Sequence, residues 1–209
     1  MEQDVTIELA GGPRLEGRLG LVDDSRGGVV VCHPHPLYGG DMENPVVVRA
    51  AEVAREVGLS TLRFNFRGVG RSTGVHGGGE AEQDDLKAAR TLLQSSLPPG
   101  RPSAVAGYSF GASVAAAVAE ADRAVAAVCL IAPPVAMREV SEFDGAGREV
   151  LLVAGTRDSY CPVPRLHELA ARIGGARVVT VDGADHFFFG KLYPLGEAIR
   201  GWAQRWAPD

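Results

Sequence analysis

One serine in this chain occupies a position typical of a nucleophile. Residues 104–106 are small or β-branched, the sequence GYSFG follows at 107–111, and an alanine-rich run begins at Ser113. This order predicts a strand, a sharp turn and a helix, with Ser109 at the corner and its Oγ directed away from the sheet. The N–H groups that begin the helix would favour negative charge developing nearby. The segment therefore predicts nucleophilic chemistry at Ser109.

A second Gly-x-Ser-x-Gly pattern places Ser72 between Gly70 and Gly74. In a chain with 27 glycines such a match arises easily. The residues that follow, VHGGG at 75–79, cannot form the interior of a helix. Ser72 is therefore predicted on a glycine-rich loop, and only Ser109 has the strand, turn and helix that the chemistry requires.

A serine hydroxyl is a poor nucleophile until a base takes its proton. The chain has five histidines, and His186 is the best placed of them because it follows the last predicted strand, at 177–181. We predict that His186 is the base. His76, in the glycine-rich loop, and His167, on a predicted helix, are interpreted as solvated surface residues.

The base needs a carboxylate that fixes its tautomer and stabilises the imidazolium. Asp158 follows the strand predicted at 149–154, whereas the loop after the preceding strand begins with APPV and offers no carboxylate. Asp182 and Asp185 lie close to His186 in sequence and are interpreted as turn or loop-capping residues. We predict Asp158 as the third member, because serine, acid and histidine follow one another in this order in strand-turn-helix sites.

A site of this kind also needs N–H donors for the oxyanion of the tetrahedral intermediate. One predicted donor is the backbone N–H of Phe110, directly after the nucleophile. The other should come from the loop HPHPLYGG at 33–40. Pro34 and Pro36 have no N–H, so His35 is the first available donor, followed by residues 37 and 38. The competing interpretation, a metal bound by His33 and His35, lacks a carboxylate or third histidine at ligand spacing.

Composition limits the remaining function classes. The chain has 209 residues and a net charge of −5, which predicts one domain over 1–209 and no nucleic-acid partner. No apolar run approaches membrane-spanning length, and the acidic N-terminus is unlike a signal peptide. The three cysteines, Cys32, Cys129 and Cys161, have unrelated spacings, so reduced thiols and a cytoplasmic location are expected.

The pattern of elements predicts an α/β fold. Residues 5–9 and 14–19 indicate a hairpin, and strands then alternate with helices up to a final helix at 192–206. This order predicts a mostly parallel sheet with an N-terminal antiparallel hairpin and helices on both faces. The interval 132–148 is too short for a cap over the site and is expected to be a loop, with one short helix near 135–140.

These motifs together resemble the α/β-hydrolase superfamily, and within it the small lidless bacterial serine hydrolases of the dienelactone-hydrolase-like group. The matching segments are HPHP at 33–36 with the glycines at 39–40, RFNFRGVGRS at 63–72, GYSFG at 107–111, GTRD at 155–158 and GADHF at 183–187. They follow the superfamily's order through nearly the whole chain. One departure is the nucleophile, which is a cysteine in dienelactone hydrolases themselves and Ser109 here.

The resemblance implies a carboxylesterase-like enzyme that cleaves short-chain esters or thioesters through an acyl-enzyme on Ser109. It implies no metal or organic cofactor, a small-molecule ester as the partner, no membrane, and a monomer or homodimer. A peptidase or acyltransferase on the same triad remains an alternative. A non-catalytic binding scaffold of the same fold is another.

Overall fold

A hairpin followed by alternating strands and helices makes up residues 1–207, the part of the chain that this computed structural model describes. The eight strands are β1 Glu2–Glu8, β2 Arg14–Gly20, β3 Gly28–Cys32, β4 Ser60–Phe64, β5 Ser103–Tyr108, β6 Ala127–Ile131, β7 Glu149–Gly155 and β8 Arg177–Val181. The helices are α1 Pro45–Glu56, α2 Ala81–Ser95, α3 Phe110–Ala121, α4 Val163–Ile173 and α5 Leu192–Trp206. A single domain over 1–209 includes two residues outside this range and stays a prediction.

The strands form one eight-stranded sheet in the order β1-β2-β4-β3-β5-β6-β7-β8. Strand β2 pairs antiparallel with both β1 and β4, and all the other neighbours are parallel. The predicted α/β architecture, with its antiparallel N-terminal hairpin, is therefore confirmed. Every residue of β3, β4, β5 and β6 is buried, as expected for parallel strands that are covered on both sides.

Two helix layers cover the sheet. Helices α1 and α5 pack against each other, and so do α2 and α3, and members of both pairs contact β3. Since β3 is fully buried, the two pairs lie on opposite faces. The core between them consists of aliphatic and aromatic side chains, and the three cysteines are free and buried in it. Within residues 1–207 no helix is both long and apolar enough to cross a bilayer.

The carboxyl ends of the parallel strands meet at one edge of the sheet, where ligands bind in folds of this type. Residues 132–148, between β6 and β7, contain neither helix nor strand. The prediction of a short helix near 135–140 is therefore wrong. The amides of Met137 and Arg138 both donate to the Pro134 carbonyl, so the segment closes one turn without propagating. No cap therefore forms between these two strands, as predicted.

Candidate active site

Ser109 lies at the corner between β5 and α3 in a strained backbone conformation, with φ 55° and ψ −114°. Its N–H donates to the Ile131 carbonyl at the end of β6 over 2.8 Å. A Cβ on Gly107 would lie 2.1 Å from the Gly111 carbonyl oxygen, so only glycine fits where the strand and helix cross. The predicted strand, turn and helix are present.

A continuous line of hydrogen bonds joins three side chains from three loops of the carboxyl edge. The Ser109 Oγ lies 3.0 Å from His186 Nε2. The other ring nitrogen, Nδ1, lies 2.8 Å from Asp158 Oδ2. His186 and Asp158 are buried, whereas Ser109 is partly exposed. The structure thus brings together the three residues that the sequence singled out.

Asp158 is held by the backbone of its own loop. Its Oδ1 accepts from the amides of Tyr160 and Cys161, both over 2.8 Å. These two hydrogen bonds therefore fix the orientation of the carboxylate independently of its contact with the imidazole. Asp185 accepts from the Phe187 amide over 3.0 Å and so closes a turn two residues ahead. That contact agrees with its interpretation as a loop residue.

The loop after β3 packs directly against the start of α3. A Cβ on Gly111 would lie 2.6 Å from the carbonyl oxygens of both Cys32 and His33. The His35 and Phe110 rings are 4.9 Å apart between centroids. This contact places the two residues predicted to supply the oxyanion donors next to each other.

The amides along this loop differ in their partners. The Leu37 N–H donates to His35 Nδ1 over 3.2 Å, and the Tyr38 N–H donates to the His35 carbonyl over 3.1 Å. Among residues 1–207, the His35 and Phe110 amides donate to no protein group. Phe110 is the first residue of α3, so its N–H has no acceptor within the helix. Of the loop donors considered, His35 is thus the one available to a ligand.

His33 is a buried structural residue. Its Nε2 accepts from the Phe66 amide over 3.0 Å, and its Nδ1 donates to the Pro34 carbonyl over 2.6 Å. Both nitrogens are therefore engaged, which disfavours the alternative of a metal held by His33 and His35. Burial lowers the pKa of His33 to about 4, so the ring is neutral at pH 7. Within residues 1–207 no group of three or more His, Cys, Asp or Glu side chains is arranged to hold a metal ion.

The interpretation of His76 as a solvated residue is wrong. Its side chain is 15% exposed, and its Nδ1 lies 2.9 Å from Oε1 of the buried Glu82. Glu82 also accepts hydrogen bonds from the Gly77 and Gly79 amides, so the buried carboxylate holds the glycine-rich loop against the protein. A lone histidine among glycines gave no sequence signal of this contact. His167 is exposed, as predicted.

Ser72 has a structural role in the same loop. Its Oγ donates to the Asn65 carbonyl over 2.8 Å and accepts from the Glu16 amide over 3.0 Å. These bonds tie the loop after β4 to β2. The hydroxyl is buried and lies among backbone groups rather than beside a base.

Sequence reasoning missed two tyrosines beside His186. The buried Tyr108 donates from its hydroxyl to the His186 carbonyl over 2.9 Å. The Tyr160 ring lies 4.7 Å from the His186 ring, between centroids. Neither position carries a signal, because any residue fits the variable position before the serine, and Tyr160 lies in an irregular loop.

Three known proteins are similar to this chain over most of its length. An uncharacterized protein of Rickettsia prowazekii is 31% identical over 196 residues, which cover 89% of this chain and 82% of that protein. A Xanthomonas campestris protein described as an α/β serine hydrolase without lid superposes with a TM-score of 0.89 at 30% identity, covering 100% of this chain and 96% of the other. An α-β serine hydrolase homologue from Coxiella burnetii gives 0.81 at 34% identity, with coverages of 95% and 96%.

Residues 29–192 match the family described as alpha/beta hydrolase domain. The match covers most of the chain and includes all three residues of the hydrogen-bonded line. The lidless serine hydrolase fold expected from the motifs is confirmed, whereas the dienelactone-hydrolase-like character stays a prediction. The chain belongs to the alpha/beta hydrolase family.

Proposed function

We propose that this chain hydrolyses carboxylic esters or thioesters of short acyl groups, with Ser109 as nucleophile, His186 as base and Asp158 as its partner. The observation that carries the proposal is the line from Asp158 Oδ2 through His186 to Ser109 Oγ, with lengths of 2.8 and 3.0 Å. These lengths lie within the reach that proton transfer needs. The proposal further rests on the serine hydrolase fold of the family.

The first half of the reaction forms an acyl-enzyme. Ser109 Oγ attacks the carbonyl carbon while its proton passes to His186 Nε2, and the carbonyl oxygen becomes an oxyanion facing the amides of Phe110 and His35. As the tetrahedral intermediate collapses, the bond to the leaving oxygen or sulfur breaks. His186 Nε2 returns the proton to that atom, and the alcohol or thiol departs.

Water completes the cycle by the same route. A water molecule gives its proton to His186 Nε2 and attacks the acyl carbon, and collapse returns the proton to Ser109 Oγ as the acid leaves. Asp158 accepts from Nδ1–H throughout, so Nε2 stays free to take the proton. Because the Tyr160 and Cys161 amides already hold the carboxylate, little reorganisation accompanies each transfer.

The decisive experiment compares Ser109→Ala with Ser72→Ala, since both serines stand in a Gly-x-Ser-x-Gly pattern. Fluorophosphonate labelling and p-nitrophenyl acetate turnover should both be lost in Ser109→Ala, apart from a residual rate due to the oxyanion donors and binding. Ser72→Ala should keep the labelling and most of the turnover, with circular dichroism as the check on folding. Loss in Ser72→Ala alone would contradict the assignment of the nucleophile.

The same assay separates the alternative activities. An ester hydrolase should turn over p-nitrophenyl acetate far faster than the corresponding p-nitroanilide, because it lacks the contacts that activate an amide. Cleavage of the anilide well above the background rate would indicate a peptidase. Release of p-nitrophenol matched by formation of the acetyl ester of an added alcohol, rather than by free acetate, would indicate an acyltransferase.

A further inference from the structure

Three exposed aromatic side chains lie in the two loops that carry His186 and Asp158. Phe187 is 53% exposed and Phe189 is 78% exposed, while the intervening Phe188 is buried. Tyr160, from the loop that carries Asp158, is 40% exposed. Large apolar side chains gathered at one place on a surface mark a binding site more often than scattered ones do. Their clustering makes this surface a candidate binding site.

Two of these rings contact the imidazole itself. The Tyr160 ring lies 4.7 Å from the His186 ring with an interplanar angle of 40°. The Phe187 ring lies 5.6 Å away at 86°, so its edge meets the imidazole. Phe189 extends the surface beyond Phe187, at 5.8 Å between centroids. Tyr160 and Phe187 thus flank His186 with rings that are partly open to solvent.

The proposed mechanism defines where a leaving group must lie. Its oxygen has to come within hydrogen-bond reach of His186 Nε2, about 2.6–3.2 Å, to receive the proton. The inner side of the imidazole is closed by the buried side chains of Tyr108 and Asp158. The substituent on the leaving oxygen therefore points away from these two side chains, toward the exposed surface to which Tyr160 and Phe187 belong.

We propose that Tyr160 and Phe187 form a binding site for an aromatic leaving group, so that the preferred substrates are esters of aryl-bearing alcohols. This inference rests on the proposed function, because it takes His186 as the group that protonates the leaving oxygen. An aromatic ring gains edge-to-face and offset-stacked contacts with these rings that an aliphatic group of equal size cannot make.

The test compares benzyl acetate with cyclohexylmethyl acetate, whose leaving groups are primary alcohols of similar size and basicity. Taking the ratio of their kcat/KM values removes any effect that a substitution has on the chemical steps common to both esters. We expect wild-type enzyme to favour the benzyl ester roughly fivefold, the size of one good aromatic contact. Tyr160→Leu and Phe187→Leu should each lower the ratio, and the double variant should bring it close to one. Tyr193→Leu is the matched control, since Tyr193 is an exposed aromatic at the start of α5, and it should preserve the ratio.

A second measurement separates this proposal from the proposed function. Binding of benzyl alcohol, followed by NMR shifts of the Tyr160 and Phe187 ring protons, requires no catalysis. One outcome is that no acetate ester is hydrolysed, while benzyl alcohol shifts these resonances and cyclohexylmethanol does not. That result would support the aromatic site and reject the esterase proposal. If both esters are hydrolysed with a wild-type ratio near one, or if both leucine variants keep the wild-type ratio, the aromatic site is overturned and the esterase stands.

Discussion

The hydroxyl of Tyr108 donates a 2.9 Å hydrogen bond to the carbonyl oxygen of His186. Tyr108 is the last residue of β5 and directly precedes Ser109, so this bond joins the strand that leads to Ser109 to the loop that carries His186. Burial raises the pKa of the Tyr108 hydroxyl, which therefore remains a donor throughout the neutral pH range. The bond fixes the distance between two loops that the chain separates widely.

We expect Tyr108→Phe to lower kcat about tenfold, because an unpaired buried carbonyl costs about 1–3 kcal/mol and part of that cost is relieved by displacement of His186. KM should change little, since the side chain does not reach the substrate. Steady-state kinetics on p-nitrophenyl acetate measure both constants. A fall in thermal midpoint with an unchanged kcat would mean that the bond stabilises the fold without positioning the base.

Asp158→Asn tests the assigned partner of His186. An asparagine can keep its oxygen on the Tyr160 and Cys161 amides, which leaves an NH2 group facing Nδ1 and selects the tautomer that protonates Nε2. That tautomer cannot take the serine proton, so we expect kcat to fall by roughly 10³–10⁴ with the fold preserved. Asp185→Asn is the control and should retain most of the activity. The opposite pattern would transfer the role to Asp185.

The buried His33 should make the stability of the fold sensitive to acid. Burial lowers its pKa from 6.5 to about 4 in the folded chain, and a protonated Nε2 could no longer accept from the Phe66 amide. Between these two values the unfolded chain binds a proton that the folded chain does not, so stability falls as the pH falls from 6.5 to about 4. The loss attributable to this group is about 3 kcal/mol over the whole interval.

Urea unfolding of wild type and His33→Gln at pH 7 and pH 4.5 measures this contribution. Carboxylates titrate in both proteins, so the relevant quantity is the difference between the two losses of unfolding free energy. We expect a smaller loss in the variant, and the exposed His167→Gln should behave as wild type. Equal losses in all three proteins would show that protonation of His33 is not linked to unfolding.

Much of the fold could be predicted from the sequence because its signals are local. Continuous apolar runs predict the buried strands, such as β3, and the turn to α3 requires glycine at both Gly107 and Gly111. The order Ser109, Asp158, His186 could be predicted as well, since each follows a parallel strand and the carboxyl ends of those strands share one edge.

The contacts that sequence reasoning missed are long-range and rest on side-chain orientation. Glu82 faces inward from the first turn of α2, and its carboxylate lies 2.9 Å from the ring of His76. The polar sequence around His76 had indicated a solvated residue. The bond from Tyr108 to His186 spans 78 residues and depends on how two loops approach. The run of three phenylalanines at 187–189 likewise does not indicate which ring is exposed, and the structure exposes Phe187 while it buries Phe188.

The absence of a cap predicts a preference for short acyl chains. Residues 132–148 form no helix or strand over the site. A long acyl chain would find little surface to cover it, and each methylene left in water forgoes about 0.8 kcal/mol. For p-nitrophenyl esters from acetate to palmitate, with a constant leaving group, we expect kcat/KM to peak at short chains and the rate to show no rise at the micelle threshold. A specificity constant that climbs to the longest chains, or a jump in rate at that threshold, would indicate an apolar cover contributed by another part of the molecule.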